Sequence, residues 1–457
     1  MRSISAAAPA RAFVFALALA PVACSVPKEA GFPDVAAAVK ERTGQRIHWN
    51  QGTEEDARVA RHINELLAQE LTAERAVQIA LLNNRGLQAT YEGLGVAQAD
   101  VVQAGMLPNQ SVGAALKFPV NGAFPFLDIG GEGDFLSILL IPAKTRLAEA
   151  EFERAKLEVG NAVLTLAADV RSAFYTLQAG GQALAVQRVI TEGAQASLEL
   201  TTRQHTAQNI SELDLANERA AYEAVKLDLA RMEADGLGAR EQLTRLLGLW
   251  GASTPFRVAP KLPELPAAEA PLDHLEKTAM QRRLDIAAAR QDIEATSRAL
   301  DLAESSRWIP GVSLGAEAER EPGEFWRVGP SANVEVPLFD QGQATVARLE
   351  SQRRASEHRL AALAIDVRSE VRSARDRVLF SRSVAEHQQK IVIPLRERIV
   401  ALSQEHYDAM LIGVYQLLVA KREEANAYRD AIVALRDYWI ARSDLERAIG
   451  GRLGSGS

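Results

Sequence analysis

The chain of 457 residues is poor in residue types that mark several classes of protein. It contains one cysteine, which excludes a framework of internal disulfides. Aromatic residues make up only 5% of it, whereas Ala and Leu are abundant, a composition that favours closely packed helices over one large globular core. The formal net charge is −7 and no basic block stands out, which argues against nucleic acid as a partner.

Signals of catalysis and metal binding are also missing. The seven histidines are scattered, and none forms a His-x-x-x-His or Cys/His constellation. His205 and His406 lie near related positions of the two halves of the chain, but exposed polar residues are a simpler interpretation than a metal site. The glycine-rich run at 130–133 is predicted to lie in a hairpin loop, with no helix start placed to use it for phosphate binding. We therefore expect no enzymatic activity, no cofactor and no bound metal.

The amino-terminal apolar run, residues 12–20, is too short to anchor the chain across a bilayer. With its positively charged start it predicts a signal peptide over residues 1–23. The run ends in Pro-Val-Ala-Cys, which resembles the lipobox of bacterial lipoproteins, although Pro21 stands where that pattern prefers leucine. The resemblance implies lipidation of Cys24, and Ser25 after it implies sorting to the outer membrane. Ordinary cleavage nearby, leaving Cys24 as a free thiol, is the alternative.

A heptad pattern occurs twice in the chain, and its apolar positions alternate in spacings of four and three. Such spacing predicts coiled-coil helices. No proline interrupts residues 143–208, so the first of these helices could reach about 100 Å. The first seam comprises Val159, Val163, Leu166, Val170, Ala173, Leu177, Gly180 and Leu184. Adding 201 to each number produces the second seam, which comprises Leu360, Ala364, Val367, Val371, Ala374, Val378, Ser381 and Ala385.

This internal similarity predicts two tandem repeats of helix, strand, strand, long helix and returning helix. We expect a lipidated lead-in segment at 24–71 and a first repeat at 72–250. A proline-rich linker at 251–271 separates it from a second repeat at 272–450. A flexible tail follows at 451–457.

In the first repeat, a single helix over 72–105 is predicted to precede the strands. A period of two predicts a strand at 111–118, and a short apolar run predicts a second strand at 135–141. The glycine- and proline-rich residues 119–133 would form the loop between them. Pro142 would then open the long helix, a position that favours proline.

The two strands predicted in the second repeat, 312–319 and 326–336, alternate apolar and polar residues. One face could contact lipid and the other water, as in a transmembrane β-barrel. A half-buried soluble hairpin alternates in the same way, but the signal peptide and the long helices favour the barrel. The residues predicted to face the lumen are Glu317, Glu319, Arg327, Asn333 and Glu335.

Each long helix is predicted to end in a tight reversal, at 209–211 and at 412–414. Asn209 and Gly413 occupy matching positions and tolerate the left-handed conformation that a reversal needs. Pro394 is predicted to interrupt the second long helix. The residues predicted at the two tips are Asn209, Ile210, Ser211, Glu212, Ile412, Gly413 and Val414.

The repeat order and the tip segments 205–216 and 407–420 are similar to the outer-membrane efflux protein (TolC) family, lipoprotein type. The resemblance implies a mainly α fold with a membrane β-barrel: a homotrimer with a 12-stranded barrel, four strands per chain, above a helical tunnel in the periplasm. It also implies an exit duct in the outer membrane of a Gram-negative bacterium, surrounded by outer-membrane lipid, with an inner-membrane pump and a periplasmic adaptor as partners. The adaptor would dock at the tips. Where the family's drug-efflux prototype has an acidic ring, this chain has Gln416 and Val419, while Glu212 lies at the matching place of the first tip.

Lipidated members of that family often serve pumps for metal cations or drugs, so the cargo stays open between these classes. The competing hypothesis is a structural lipoprotein whose coiled coils bridge the layers of the cell envelope without transport. Such a tether needs no pair of hairpins with a lipid-ready face, which favours the duct.

Overall fold

The computed structural model describes residues 26–118, 125–308, 311–321 and 323–453. The predictions for the signal peptide, for Cys24 and for the end of the tail fall outside these ranges. Within the described residues, no helix combines the length and the apolarity that crossing a membrane requires.

The described chain is mostly helical, with four strands. The first part contains α1 (Phe32–Thr43), α2 (Glu54–Ala68), α3 (Ala73–Asn83), α4 (Arg85–Gly105), β1 (Ser111–Lys117), β2 (Phe126–Asp134), α5 (Phe135–Thr206) and α6 (Glu212–Leu247). The second part contains α7 (Leu275–Arg282), α8 (Leu284–Ser306), β3 (Val312–Arg320), β4 (Arg327–Val334), α9 (Gln343–His387), α10 (Ile393–Asp408) and α11 (Val414–Ala448).

The single helix predicted over 72–105 is wrong, because the chain breaks at Asn84 into α3 and α4. Asn84 has an extended backbone, and its side chain accepts a hydrogen bond from the Leu87 N–H at 2.9 Å, which caps α4. The same side chain donates to the Leu246 carbonyl at 2.9 Å. Asparagine is a favoured capping residue because its short side chain reaches the free N–H groups of a helix start.

The strand predicted at 135–141 is also wrong, since these residues begin α5. The true second strand, β2, lies in the range predicted as a loop, and the glycine-rich run at 130–133 is part of it. Asp134 ends the strand and caps α5 by accepting from the Ser137 N–H at 2.9 Å. Pro142 therefore lies inside α5 instead of opening it. An apolar run without alternation fits a packed helix as well as a strand, so periodicity alone did not separate the two.

The four strands form one antiparallel sheet in the order β1-β2-β3-β4. In the sequence, β2 and β3 are separated by α5, α6, the proline-rich segment, α7 and α8, yet they are neighbours in the sheet. Within the described residues, the outer edges of β1 and β4 have no strand partner.

The long helices form a row. At 72 residues, α5 is about 100 Å long. It packs against α6 on one side and α11 on the other, and α11 packs against α9 and α10. The predicted seam positions Val163, Val170, Val371 and Val378 are at most 1% exposed, as coiled-coil packing requires.

The predicted interruption at Pro394 is confirmed. A π-helical turn at Gln388–Val392 immediately precedes α10, in which Pro394 is the second residue. Such turns take up one extra residue in a helix and commonly occur where the regular hydrogen-bond ladder is interrupted.

The proline-rich segment between the two parts of the chain is bound to the helices along its length. Gln178 of α5 donates to the carbonyls of Ala259 at 2.9 Å and Lys261 at 2.7 Å. Arg382 of α9 donates to the Pro266 carbonyl at 2.8 Å. The segment therefore crosses from the first long helix to the second.

A charge cluster centred on the buried side chain of Arg171 joins α3, α5 and α11. Arg171 of α5 is 7% exposed and contacts Glu446 of α11 at 3.2 Å and Glu74 of α3 at 3.3 Å. Arg452, beyond α11, contacts Glu74 at 2.8 Å. Burial raises the pKa of the Glu446 carboxyl, while the positive charges of Arg171 and Arg442 oppose that rise.

Arg171→Met should destabilise the protein by about 3–5 kcal/mol, because it leaves the carboxylate of Glu446 buried without its partner. Arg372→Met is the matched control. Arg372 lies 201 residues further along, at the equivalent position next to the seam residue Val371, but its side chain is exposed and pairs with Glu276 at 3.2 Å. Thermal unfolding in detergent should show a clear decrease in stability for Arg171→Met and little change in stability for Arg372→Met.

The loss of stability caused by Arg171→Met should become smaller as the pH falls. Without Arg171 the pKa of Glu446 rises further, so acid protonates the carboxyl and removes the unpaired charge. A loss that is equal at neutral and acidic pH would contradict a role for the Glu446 charge.

Candidate functional site

The register of the sheet separates polar from apolar residues. Directly paired residues of neighbouring strands point to the same face. Glu319 pairs with Arg327, and Asn333 pairs with Ser313. Glu317 shares this face, since it lies two residues before Glu319 in the same strand.

The remaining residue predicted to face the lumen lies just beyond the sheet. Glu335 follows the last residue of β4, and its N–H donates to the Gly311 carbonyl at 3.0 Å. Glu335 lies two residues after Asn333, so the alternation of polar and apolar residues continues past the end of β4.

The opposite face is apolar and open. Val112, Leu116, Val328 and Val334 are each more than half exposed in the single chain. An apolar surface of this extent is unusual for a protein face in water and marks a surface that contacts lipid or another protein.

Four charged residues of the polar face were missed by the sequence analysis: Lys117, Asp128, Glu132 and Asp134. Lys117 of β1 and Asp128 of β2 form an ion pair at 2.7 Å, and Glu132 of β2 accepts from the Ser313 hydroxyl at 3.5 Å. Asp128 and Glu132 were missed because β2 was interpreted as a loop, although Leu127 and Ile129 flank Asp128 in strict alternation. Lys117 lies in the strand predicted at 111–118, whose residues were not assigned to a face. The carboxylates on the polar face of the strands are Asp128, Glu132, Asp134, Glu317 and Glu319, against the cations Lys117 and Arg327.

Aromatic side chains flank the sheet at both ends. Trp308 and Phe339 lie next to the end at which the helices join, and Phe118 and Trp326 lie next to the other end. All four are exposed. Aromatic girdles at both interfaces are typical of transmembrane barrels.

Ala316→Arg should impair assembly in the membrane, because Ala316 lies at the middle of β3 on the apolar face and a charge that faces the middle of a bilayer costs about 2–4 kcal/mol. Glu317→Arg, the neighbouring position on the polar face, is the matched control and should assemble normally. The amount of folded protein in purified outer membranes measures both. Equal yields would show that the two faces are assigned incorrectly.

The two helical hairpins reverse by the same backbone motif. Gln208 and Met410 have left-handed φ values of 59° and 60°. The Asn209 N–H donates to the Gln204 carbonyl at 2.9 Å, and the Leu411 N–H donates to the His406 carbonyl at 2.8 Å. These are the bonds of a Schellman motif, which ends a helix with one left-handed residue.

The prediction that Asn209 and Gly413 supply the left-handed positions is therefore wrong. Gly413 has φ −82° and ψ 162°, an extended conformation open to any residue. Both left-handed residues carry a Cβ, which costs roughly 1–2 kcal/mol in this conformation because it approaches the residue's own backbone, and the hydrogen bonds of the motif hold them in it.

The other predicted tip residues lie where the returning helices begin. Ser211 caps α6, and Asp214 receives hydrogen bonds from the Ser211 N–H at 3.2 Å and hydroxyl at 2.7 Å, which lower the pKa of its carboxyl. Glu212 is the first residue of α6 and contacts His205 at 3.0 Å. At the second tip, the uncharged Gln416 accepts from the Gly413 N–H at 2.6 Å.

The apolar residues most accessible at the tips differ from those predicted. Ile210, Ile412 and Val414 are half-buried, whereas Met410 is 92% and Leu411 71% exposed. Exposed apolar residues at the end of a long helical hairpin are available to a partner.

The two hairpins are joined above their tips. The Tyr415 hydroxyl of α11 donates to Gln204 Oε1 of α5 at 2.7 Å and lies 3.0 Å from the Thr201 hydroxyl. Further up, Arg429 of α11 donates to Gln187 Oε1 of α5 at 3.2 Å. The tips of the two hairpins therefore lie at about the same position along the direction of the helices.

A groove of about 860 Å³ runs between the hairpins over this stretch. Its lining is mainly small and apolar, contributed by α5, α6 and α11, with charged residues among the α11 side chains. Examples are Val189, Gly193, Ala221, Leu418 and Arg422. Among the described residues, no group of His, Cys, Asp and Glu is arranged to hold a metal ion.

The fold is that of known outer-membrane channels. The CmeC outer membrane channel of Campylobacter jejuni superimposes with a TM-score of 0.72 at 16% identity, covering 83% of this chain and 86% of that one. CusC superimposes with a TM-score of 0.67 at 15% identity, covering 84% and 92%.

The sequence match identifies the family. The profile of outer membrane efflux proteins matches residues 141–249 and 275–451, more than half of the chain. The chain belongs to the outer membrane efflux protein family.

Two relatives carry specific names. The cobalt-zinc-cadmium resistance protein CzcC of Cupriavidus metallidurans is 23% identical over 395 residues, 83% of this chain and 90% of the relative. The pyoverdine export outer membrane protein OpmQ of Pseudomonas aeruginosa is 26% identical over 420 residues, 82% of this chain and 84% of the relative.

Proposed function

We propose that this chain is the outer-membrane exit duct of a tripartite efflux system. The observation that carries the proposal is the sheet, which has one apolar and one charged face and is joined to helical hairpins about 100 Å long. In a barrel the apolar face contacts lipid and the charged face lines a water-filled lumen.

The proposal requires several copies of the chain. The edges of β1 and β4 would leave unpaired N–H and C=O groups in lipid, each costing several kcal/mol. Four strands from each of three copies produce a 12-stranded barrel, with the helical rows forming a tunnel below it. Native mass spectrometry in detergent should show a trimer, and a stable monomer would refute both barrel and duct.

The predicted lumen-facing residues Glu317, Glu319, Arg327, Asn333 and Glu335 belong to the charged face in this proposal. Together with Asp128 and Glu132 they make the lumen net acidic. Lys117 is paired with Asp128, and Arg327 is paired with Glu321 at 3.2 Å and Glu324 at 2.5 Å, which leaves an excess of carboxylates. An acidic lumen favours the passage of cations over anions.

A periplasmic adaptor is the partner that the tips would bind. Met410, Leu411 and the groove between the hairpins offer apolar surface at the end remote from the sheet. Helical hairpins of an adaptor can pack into such a groove by coiled-coil contacts. An inner-membrane pump would deliver the cargo through this junction.

The cargo is a heavy-metal cation or an organic compound. The names of CzcC and OpmQ cover both classes, and the described residues of this chain contain no cluster that would select a metal. Selection by the pump is therefore the simplest arrangement. The alternative, a structural lipoprotein without transport, is disfavoured because it assigns no role to the two faces of the sheet.

Lipidation of Cys24 would add an anchor at the amino terminus. Cys24→Ser should abolish incorporation of labelled palmitate, while the barrel keeps the protein in the membrane. Unchanged labelling would show that the resemblance to a lipobox is misleading.

Met410→Asp tests the role of the tips. The side chain is exposed and aspartate tolerates the left-handed backbone, so folding and trimer formation should be unchanged. Export in cells should fail, because the added charge would be buried against the apolar surface of the adaptor. Gln352→Asp, an exposed residue near the other end of the same hairpin, is the control and should export normally.

Conductance of the purified channel in planar bilayers completes this test. Unchanged conductance of Met410→Asp together with lost export supports adaptor docking, whereas raised conductance assigns the tips to closing the mouth. Full export would remove the tips from the mechanism.

A further inference from the structure

The proline-rich segment connects the two helical hairpins at a distance from their tips. Residues 255–271 include five prolines, which restrict the backbone and make an extended segment stiff. We call residues 256–269 the brace, because one half of this stretch contacts the first hairpin, α5 and α6, and the other half contacts the second hairpin, α9 to α11. A stiff connection transmits the position of one hairpin to the other instead of absorbing a displacement.

The first half of the brace is held by the first hairpin. The Arg240 guanidinium of α6 donates to the Phe256 carbonyl at 2.6 Å and lies 4.4 Å from the centre of the Phe256 ring. The Leu262 N–H donates to Gln182 Oε1 of α5 at 3.1 Å. Phe256 and Leu262 are 5% and 6% exposed. This half is therefore fixed by buried apolar side chains as well as by hydrogen bonds.

The second half of the brace is held by the second hairpin, with one carboxylate at the centre of the contact. The Glu269 side chain is 11% exposed and contacts Arg382 of α9 at 3.1 Å and Arg442 of α11 at 3.4 Å. It also accepts a hydrogen bond from the Tyr438 hydroxyl of α11. Hydrogen bonds to a charged group are stronger than neutral ones. Glu269 therefore joins both helices of the second hairpin to the brace.

Between the brace and the tips, the two hairpins are packed less closely. The groove of about 860 Å³ runs between them from Gln182 to Tyr415. The side-chain hydrogen bonds that cross this stretch come from Arg429 and Tyr415 to α5. Close-packed interiors resist displacement, whereas a groove leaves room for it. A change in the angle between the hairpins can therefore be accommodated in this stretch.

The distance from the brace to the tips amplifies any movement of the second hairpin. Arg382 lies 28 residues before the reversal at Met410, which corresponds to about 42 Å of helix. A rotation of about 5° at the brace would move a tip at that distance by about 4 Å. The contact made by Glu269 therefore has a large influence on where the second tip lies.

We propose that the brace fixes the angle between the two hairpins, and that Glu269 is the residue that positions the second hairpin on it. Loss of the Glu269 charge leaves two guanidinium groups without their shared partner and frees the second hairpin to move away from the first. The proposal rests on the proposed function, because it assumes an adaptor that binds both tips at once.

Glu269→Gln tests the proposal, since it removes the charge and keeps the shape of the side chain. Spin labels at Ala207→Cys and Ala409→Cys, exposed residues at the ends of α5 and α10, report the distance between the tips by double electron–electron resonance. A Cys24→Ser background leaves no other thiol, and dilution with unlabelled chains removes distances between copies. The distance distribution should broaden by about 4 Å. Glu264→Gln, an exposed glutamate of the same brace, is the matched control and should leave it unchanged.

Trp439→Phe loosens the same half of the brace in a second way. The Trp439 indole N–H donates to the Pro263 carbonyl at 2.9 Å, and its ring stacks on Tyr175 of α5. Phenylalanine keeps an aromatic ring and loses the hydrogen bond, so the distribution should broaden less than in Glu269→Gln. This variant decides the question if the unpaired arginines prevent Glu269→Gln from folding.

Export in cells measures the functional consequence. At equal amounts of trimer in the outer membrane, Glu269→Gln should reduce export at least about twofold, because an adaptor must first restrict the loosened tips to one arrangement. Glu264→Gln should export normally.

The outcomes separate this inference from the function. An unchanged distance distribution in both Glu269→Gln and Trp439→Phe would overturn the role of the brace and leave the duct intact. Equal broadening in Glu264→Gln would overturn the specific role of Glu269. A broadened distribution with normal export would overturn the link between the brace and docking. Failure of the unmodified chain to form a conducting trimer would overturn the duct itself.

Discussion

The constraint on which this structure depends is the need of every strand in a bilayer for hydrogen-bond partners on both sides. Four antiparallel strands leave the edges of β1 and β4 open. In the proposed barrel, additional copies of the chain satisfy these edges. The apolar face and the aromatic residues at both ends of the sheet fit the same requirement.

The two helical hairpins follow the same order as the strands of the sheet. β2 leads directly into α5, and β3 leads through β4 into α9, so the first hairpin belongs with β1 and β2 and the second with β3 and β4. Alanine-rich seams allow close approach of the helices, which explains why a chain with few aromatic residues can build rods of this length. Larger side chains are concentrated where the rods meet the short helices α1–α4, for example at Phe174 and Tyr91.

Several parts of this fold and of its candidate site were predictable from local patterns. The buried seams around Val163 and Val371 repeat every seven residues, and β3 alternates strictly, so each carries its own signal. The second strand was not predictable in the same way. Its glycines weaken the alternation of polar and apolar residues, so neither the strand nor its charged residues Asp128 and Glu132 were predicted. The left-handed residues Gln208 and Met410 were missed because neither is Gly or Asn, the residue types that normally mark a left-handed helix end.

The sequence by itself determined the coiled-coil rods and the polar and apolar parity of β3 and β4, because each depends on a repeat of two or seven residues along the chain. Only the tertiary structure decided that β2 lies beside β3 and that Arg171 meets Glu446, since these partners are far apart in sequence. The tertiary structure also revealed which heptad positions are buried within the chain and which stay exposed. A heptad pattern specifies that a helix has a partner, whereas the packing of the whole row determines whether that partner lies in the same chain.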